Sequence, residues 1–190
     1  MKPSIVIFSI CIVGMSSALA MAQGNEEHSE FARNGFYIGG GGMYALEEFN
    51  DTGVLSFKDS EGFNFRLGYR FHPHFAIEAE GERVIGFDLK QATLDIETWT
   101  ATLNAKVFAL TGRIQPFGLV GIGAMTATAD SSLLRSNITE TGIAARFGGG
   151  ADFYLTPNWL INAEITYVAP GGDVDDLDYV ALGGGIQFRF

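Results

Sequence analysis

The stretch that decides the fold is GFNFRLGYRFHPHFAIEAEGER, residues 62–83. Apolar and polar residues alternate on both sides of a His-Pro-His triplet. In the first half, the odd-numbered residues from Phe63 to Phe71 are apolar or aromatic, and Arg66 and Arg70 lie between them. A period of two is the spacing of a β-strand whose two faces meet different environments. The stretch therefore predicts two antiparallel strands joined by a tight turn.

The same alternation recurs along the rest of the chain and predicts eight strands. They lie near residues 35–45, 60–71, 75–86, 96–110, 116–127, 140–154, 159–168 and 179–190. Short connections at 72–74, 110–115 and 155–158 alternate with long ones at 46–59, 87–95, 128–139 and 169–178. An even number of antiparallel strands with alternating short turns and long loops is typical of outer-membrane barrels. The sequence predicts an all-β fold, an eight-stranded antiparallel up-and-down transmembrane β-barrel over residues 35–190.

Two observations predict that the apolar face points outward, toward lipid. Aromatic residues lie near the ends of the apolar stripes, as in the aromatic girdles of membrane barrels; these are Phe63, Phe71, Trp99, Trp159 and Tyr167. The opposite face carries five basic and five acidic residues, a balance that a closed interior requires because buried ions need partners. This barrel-interior charge cluster consists of Arg66, Arg70, Glu78, Glu80, Glu82, Lys106, Arg146, Asp152, Glu164 and Arg189. The alternative, a soluble periplasmic lipocalin-like carrier, predicts the apolar face inside.

The N-terminus has the layout of a cleaved secretory signal peptide, residues 1–22. Lys2 precedes an apolar run that is too short to span a bilayer as a helix, and small residues follow. Cleavage sites are available after Ala20 and after Ala22. A short acidic N-terminal segment, residues 23–34, then leads into the barrel. The sequence predicts export.

Charge and cysteine content exclude several classes of protein. The formal net charge is −10, and removal of Lys2 makes it one unit more negative. Such an acidic chain has no basic stripe to neutralise phosphates, so it is not a nucleic-acid binder. The single cysteine, Cys11, lies within the predicted signal peptide, so the mature chain is not a disulfide scaffold.

No stretch predicts catalysis or a cofactor. The three histidines are His28 in the acidic segment and His72 and His74 in a short turn, and none has the neighbours of an activated nucleophile. The sequence therefore predicts a protein that is not an enzyme and has no cofactor. His72 and His74 are read as residues of an ordinary turn in preference to metal ligands. A candidate metal site is the run GGDVDDLD, because hard cations bind clustered oxygens. Its carboxylates are Asp173, Asp175, Asp176 and Asp178, and such a run is usually a solvated loop.

The chain resembles the small outer-membrane β-barrel family that includes the OmpA membrane domain, OmpX and the opacity-type porin-like proteins. The resemblance rests on LGYRFHPHFAIEAEGE, GGGADFYLTPNWLINAEITYV and the terminal GIQFRF. It implies a protein of the Gram-negative outer membrane that contacts outer-membrane lipid and lipopolysaccharide, is inserted by the outer-membrane assembly machinery and is a monomer. It also implies an assembly signal in the last strand at Tyr179, Phe188 and Phe190.

The predicted function is that of a small structural barrel with acidic surface loops and a closed, charge-neutralised interior. Alternatives are a narrow ion-conducting channel and a surface-exposed adhesion or ligand-binding protein. The long loops and their edges hold three basic residues, Lys58, Lys90 and Arg135. They hold twelve acids, namely Glu47, Glu48, Asp51, Asp59, Glu61, Asp88, Asp95, Asp130, Asp173, Asp175, Asp176 and Asp178. That balance disfavours anionic ligands.

Overall fold

The computed structural model describes residues 29–47, 60–88, 94–131, 136–172, 174 and 177–190. The predicted signal peptide and the first part of the acidic segment lie outside these residues. The described chain contains a short 3-10 turn, Glu30–Ala32, and eight strands. The strands are β1 (Gly35–Glu47), β2 (Ser60–His72), β3 (Phe75–Asp88), β4 (Leu94–Phe108), β5 (Ile114–Ser131), β6 (Ser136–Tyr154), β7 (Trp159–Gly171) and β8 (Tyr179–Arg189).

Each strand pairs antiparallel with the next, and β8 pairs with β1 to close the barrel. At the seam Tyr37 lies opposite Arg189, and Phe190 donates its backbone N–H to the carbonyl of Phe36 at 3.1 Å. Closure leaves no unpaired sheet edge, which is what a spanning sheet requires in lipid. The eight-stranded up-and-down barrel predicted from the sequence is confirmed.

The barrel has two different ends. At one, which we call the short-turn end, tight connections join β2 to β3, β4 to β5 and β6 to β7, and residue 29 also lies on this side of β1. At the other, the loop end, longer connections leave from β1 and β7, and β3 is joined to β4 by residues 89–93. Two of the predicted long connections are shorter than expected. The connection between β3 and β4 spans residues 89–93, no more than the five residues between β4 and β5, and the connection between β5 and β6 spans only residues 132–135.

The two faces of the strands are sharply different. In β2, Phe63, Phe65 and Leu67 are 47–59% exposed, whereas Asn64 and Arg66 are at most 4% exposed. The charged cluster residues of the other strands are buried in the same way, so the apolar stripes form the outer surface and the charged residues line the interior. A soluble carrier requires the reverse arrangement. The outward-facing apolar surface is therefore the one expected of a barrel that spans a membrane.

The hairpin of β5 and β6 is longer than the sequence predicts. A long loop was expected at 128–139, but β5 continues to Ser131 and β6 begins at Ser136. The extension is paired residue by residue, and Thr128 lies opposite Thr139 within it. Threonine is β-branched and favours extended backbone. The hairpin therefore extends the sheet beyond the position at which the sequence predicts that it ends.

The faces of β5, which the sequence leaves unassigned, are resolved by the structure. Phe117, Leu119 and Met125 point inward and are at most 6% exposed. Val120 and Ile122 point outward and are 64% and 74% exposed. Both faces of this strand are apolar or small, so alternation of polarity carries no information about them.

Candidate functional site

The barrel interior gathers all ten members of the predicted charge cluster. Each of these side chains belongs to a residue that is at most 6% exposed. They come from β2, β3, β4, β6, β7 and β8, and every one lies on the inward face of its strand. Because five are basic and five acidic, the lumen has no net formal charge. The interior is therefore the candidate site.

The middle of the lumen is crossed by what we call the central network, formed by Arg66, Glu80, Glu82, Arg146 and Glu164. Arg66 contacts Glu80 at 3.2 Å and Glu164 at 2.7 Å. Arg146 contacts Glu164 at 3.1 Å and Glu80 at 3.3 Å, and it also bonds Glu82. The five side chains link β2, β3, β6 and β7. Fork-shaped guanidinium groups suit such multiple carboxylate contacts.

A second ionic contact lies nearer the short-turn end. The Nζ atom of Lys106 is 3.3 Å from Glu78 Oε2, and the hydroxyl of Tyr37 donates to the same oxygen at 2.9 Å. The ammonium group also lies 4.0 Å from the centre of the Phe117 ring. Lys106 is therefore held by one carboxylate and one aromatic face, a combination that stabilises a buried cation.

Three members of the cluster form no ion pair within the described part of the chain. Asp152 is 3% exposed and has no cation within ion-pair distance. Arg70 donates to Gln115 at 2.7 Å and to the carbonyl of Pro73, and its guanidinium lies 4.0 Å from the centre of the Phe108 ring. Arg189 donates to Tyr154 at 2.7 Å. The interior is thus balanced in total charge but not pair by pair.

Two layers of apolar and aromatic side chains fill the lumen on either side of the central network. The loop-end layer contains Met43, Ala45, Val84, Met125, Ala144, Val168, Val174, Tyr179 and Ala181. Val174 comes from the connection between β7 and β8 and is 3% exposed. The short-turn layer contains Tyr37, Ala76, Phe108, Phe117 and Leu119. An apolar constriction repels water and ions, so the loop-end layer is a barrier to conduction. In the short-turn layer the aromatic rings are packed against Arg70 and Lys106.

The predicted aromatic girdle residues all lie on the outer surface. Phe63 and Trp99 meet edge to face near the loop end, with ring centres 6.3 Å apart. Tyr167 lies on the same side, in contact with a phenylalanine of β6 at 5.1 Å. Phe71 and Trp159 lie at the short-turn end, where β2 ends and β7 begins. The five residues therefore form two belts separated by the apolar stripes.

A cation also lies on the outer surface. Arg83 faces outward near the loop end and bonds Glu97 at 2.7 Å, and the two side chains are 33% and 35% exposed. The indole N–H of Trp99 donates to the second oxygen of Glu97 at 2.6 Å. Near the membrane surface, a charged side chain that is paired and level with the aromatic belt costs little.

The three predicted assembly-signal residues do not share a face. Tyr179 points inward, is 1% exposed and bonds Glu82 through its hydroxyl. Phe188 and Phe190 lie on the outer side, and their rings meet edge to face at 5.2 Å. Phe188 also packs on Trp159 at 4.8 Å, whereas Phe190 is 65% exposed. The two phenylalanines therefore form one surface, from which Tyr179 is separated.

The candidate metal residues are only partly within the described chain. Asp173, Asp175 and Asp176 lie outside it, and Asp178 accepts a hydrogen bond of 2.5 Å from Tyr167. His72 and His74 serve the turn between β2 and β3, where Nδ1 of His72 accepts the backbone N–H of His74 at 3.2 Å. Among the residues described, no three His, Cys, Asp or Glu side chains form a metal-binding group.

Some interior residues were missed by the sequence analysis. Tyr37, Gln115 and Tyr154 are at most 4% exposed and bond charged members of the cluster. Tyr154 was readable as an inward residue, because it follows the polar phase set by Asp152. Tyr37 lies in a strand that is half glycine, so the sequence does not show which face of the strand it occupies.

The helices of the described chain include none that is long and apolar enough to cross a bilayer.

A family model described as the outer membrane protein beta-barrel domain matches residues 8–190 of this chain. No curated protein matches its sequence.

Solved structures with a similar fold come from several bacteria. Neisserial surface protein A superposes with a TM-score of 0.66 at 17% identity, covering 82% of this chain and 97% of that one. Ail, the attachment invasion locus protein of Yersinia pestis, superposes with a TM-score of 0.56 at 21% identity, covering 83% of this chain and 97% of Ail. The N-terminal β-barrel domain of Pseudomonas aeruginosa OprF superposes with a TM-score of 0.55 at 16% identity, covering 83% of this chain and 100% of that domain. At these identities the similarity concerns the fold.

Proposed function

This chain belongs to the family of outer membrane protein β-barrel domains, and from that premise we propose that it is a small structural barrel with a closed interior. The family places it in the outer membrane of a Gram-negative bacterium. In outer-membrane barrels the short turns face the periplasm and the longer loops face outside, so we place the short-turn end in the periplasm and the loop end at the cell surface. We further propose that it is a monomer, that it has no enzymatic activity, and that its partners are lipid, lipopolysaccharide and the assembly machinery.

The observation that carries the proposal is the layered filling of the lumen. The central network joins side chains from four strands across the middle, and the loop-end and short-turn layers lie on either side of it. An eight-stranded barrel has an interior just wide enough for its side chains. A permeating ion would have to displace bonded charges and also cross two layers of apolar and aromatic side chains. This arrangement favours a closed barrel over the narrow channel.

Conductance measurements test this proposal. In planar lipid bilayers the purified protein should show no discrete conductance steps, and neither should Lys106→Ala. That substitution removes one ionic contact but leaves Phe108 and Phe117 of the short-turn layer in place. Unboiled gels establish that each sample is folded, and a general porin inserted into the same bilayer is the positive control. Steps in the parent would establish the channel instead, and steps in Lys106→Ala would mean that the short-turn layer does not close the lumen.

We also propose that Phe188 and Phe190 are read by the assembly machinery. Their exposed rings form one outward surface on the last strand, beside the seam with β1. Recognition of an exposed strand by pairing and side-chain contact is a general mode of peptide binding. Tyr179 is included in this signal as the aromatic residue at the start of the same strand.

Replacing Phe190 by alanine should reduce the amount of folded barrel in the outer membrane of expressing cells. Phe190 is 65% exposed, so the substitution removes little packing from the folded barrel. The folded fraction is measured as the heat-modifiable band on unboiled gels. The control is refolding of the same variant into detergent, which needs no machinery and should equal that of the parent. Equal folded amounts in cells, or an equal loss in detergent, would assign Phe190 no role in recognition.

An adhesive function is less favoured. Ail has been crystallised with the heparin analogue sucrose octasulfate. The long connections of this chain are dominated by aspartate and glutamate, with only Lys58, Lys90 and Arg135 as basic residues. Acidic loops repel a polysulfated ligand. A surface-binding role would therefore require a neutral or cationic partner.

A further inference from the structure

The periplasmic mouth of the barrel is occupied by the chain's own N-terminal segment. Residues 29–33 precede β1 and turn back under the barrel as the 3-10 turn Glu30–Ala32. Ser29 stabilises the turn, because its hydroxyl accepts the N–H of Phe31 at 3.3 Å and its carbonyl accepts the N–H of Ala32 at 2.9 Å. Ala32 is 6% exposed. The segment is therefore inserted into the mouth and does not extend away from it.

The carbonyl oxygen of Phe31 is bonded by two interior side chains. Arg189 of β8 donates to it at 2.6 Å, and Gln115 of β5 donates to it at 3.1 Å. Both donors are at most 3% exposed. Arg189 has no carboxylate partner among the described residues, so this carbonyl and the hydroxyl of Tyr154 are the acceptors that satisfy it. A buried guanidinium deprived of such an acceptor is costly.

The side chains of the segment contact further parts of the rim. The Phe31 ring packs on Tyr154 of β6 with ring centres 5.5 Å apart, and the guanidinium of Arg113 lies 5.7 Å from the same ring. Arg33 donates to the carbonyl of Pro157, in the turn between β6 and β7, at 3.2 Å. Through these contacts a five-residue segment that is covalently joined to β1 reaches β5, β6, β8 and two turns. The segment therefore connects the two strands of the seam, because it is covalently joined to β1 and is bonded to Arg189 of β8.

We infer that the periplasmic mouth, formed by Gln115, Tyr154 and Arg189, is a peptide-binding site whose ligand is residues 29–33 of this same chain. The bound segment seals the lumen on the periplasmic side and holds the seam closed. Terminal segments are ordinarily disordered unless specific contacts hold them. The inference goes beyond the closed interior proposed above, because the segment binds at the mouth and not among the side chains of the central network.

Thiol labelling tests the inference. The only cysteine of the chain, Cys11, is absent from a protein refolded from residue 23 onward. Ala76→Cys therefore introduces a single inward-facing reporter in the short-turn layer and leaves Gln115, Tyr154 and Arg189 of the site unchanged. In detergent micelles the reporter should react slowly with a soluble thiol reagent. Deletion of residues 23–33 should accelerate the reaction by about tenfold or more, because the bound segment protects the thiol except when it opens locally. A factor of ten corresponds to about 1.4 kcal/mol of protection. Deletion of residues 23–28 alone is the matched control and should leave the rate unchanged.

Two further measurements make the outcome decisive. A synthetic peptide of residues 25–34, added to the long deletion, should slow labelling again, whereas a scrambled peptide should not. Phe31→Ala in the full-length mature chain keeps every backbone bond and should give an intermediate rate, even if the long deletion fails to refold. Labelling in Phe31→Ala and in the folded deletion at the parental rate would overturn the inference. Conductance plays no part in this readout, so its outcome is independent of the closed-barrel proposal.

Discussion

Replacing Arg146 by alanine should lower the free energy of unfolding of the barrel by about 3–5 kcal/mol, the usual cost of removing one partner from a buried ion pair. Arg146 is 1% exposed and bonds Glu80, Glu82 and Glu164, and it also donates to Thr166 at 3.2 Å. Its removal leaves three buried carboxylates with one fewer cation between them. The measurement is a urea titration in lipid vesicles, in which the folded fraction is read from the intensity of the folded band on unboiled gels.

The matched control is Arg83→Ala on the outer surface. Arg83 is also an arginine paired with a glutamate, but both side chains are about one-third exposed. Exposed pairs contribute little to stability, so this variant should unfold at the parental urea concentration. Arg146→Lys should recover part of the loss, because an ammonium group keeps the charge but does not bridge several carboxylates at once. Equal effects of Arg146→Ala and Arg83→Ala would mean that the central network adds nothing to stability.

The fold and the contents of the interior were largely readable from the sequence, for a simple physical reason. A strand has a rigid period of two, so the phase of one clear residue determines the phase of its whole strand. The five phenylalanine, leucine and tyrosine positions of residues 63–71 place Arg66 and Arg70 on the other face, and both are buried in the structure. A strand whose residues do not alternate in polarity does not reveal which of its faces points inward. For that reason the sequence did not assign Phe117 and Leu119 of β5 to a face.

The pairing within the interior was not readable. Neighbouring strands bring Arg66 beside Glu80, but the contact of Arg66 with Glu164 crosses the lumen and depends on the stagger of the closed barrel. Balance of total charge did not predict that Asp152 has no cation within ion-pair distance among the residues that the structure describes. The N-terminal segment was equally hidden, because residues 29–33 lack the period of a strand and are held by contacts to residues far away in sequence.

Replacing Gly123 by alanine should prevent the barrel from reaching the parental stability, with a loss of about 3 kcal/mol or more, at the upper end of the cost of overpacking. A Cβ atom at this position would lie 1.8 Å from the carbonyl oxygen of Ala101 and 2.7 Å from the Cα of Thr102. Both atoms belong to the backbone of β4, so no side-chain rotation relieves the clash. Strands that bend to close a small barrel approach one another closely where glycine permits it.

Gly183→Ala is the matched control, because Gly183 of β8 also faces the interior. Its added Cβ would meet the Cγ of Glu164 at 3.5 Å, an ordinary contact. This variant should therefore refold with parental yield and unfold at nearly the parental urea concentration, whereas Gly123→Ala should unfold earlier or give only the unfolded band. The difference between the two variants isolates close backbone approach from the loss of a glycine as such. If both behave as the parent does, β4 and β5 must be further apart at Gly123 than they lie in this barrel, and the strand curvature that closes it must be distributed elsewhere.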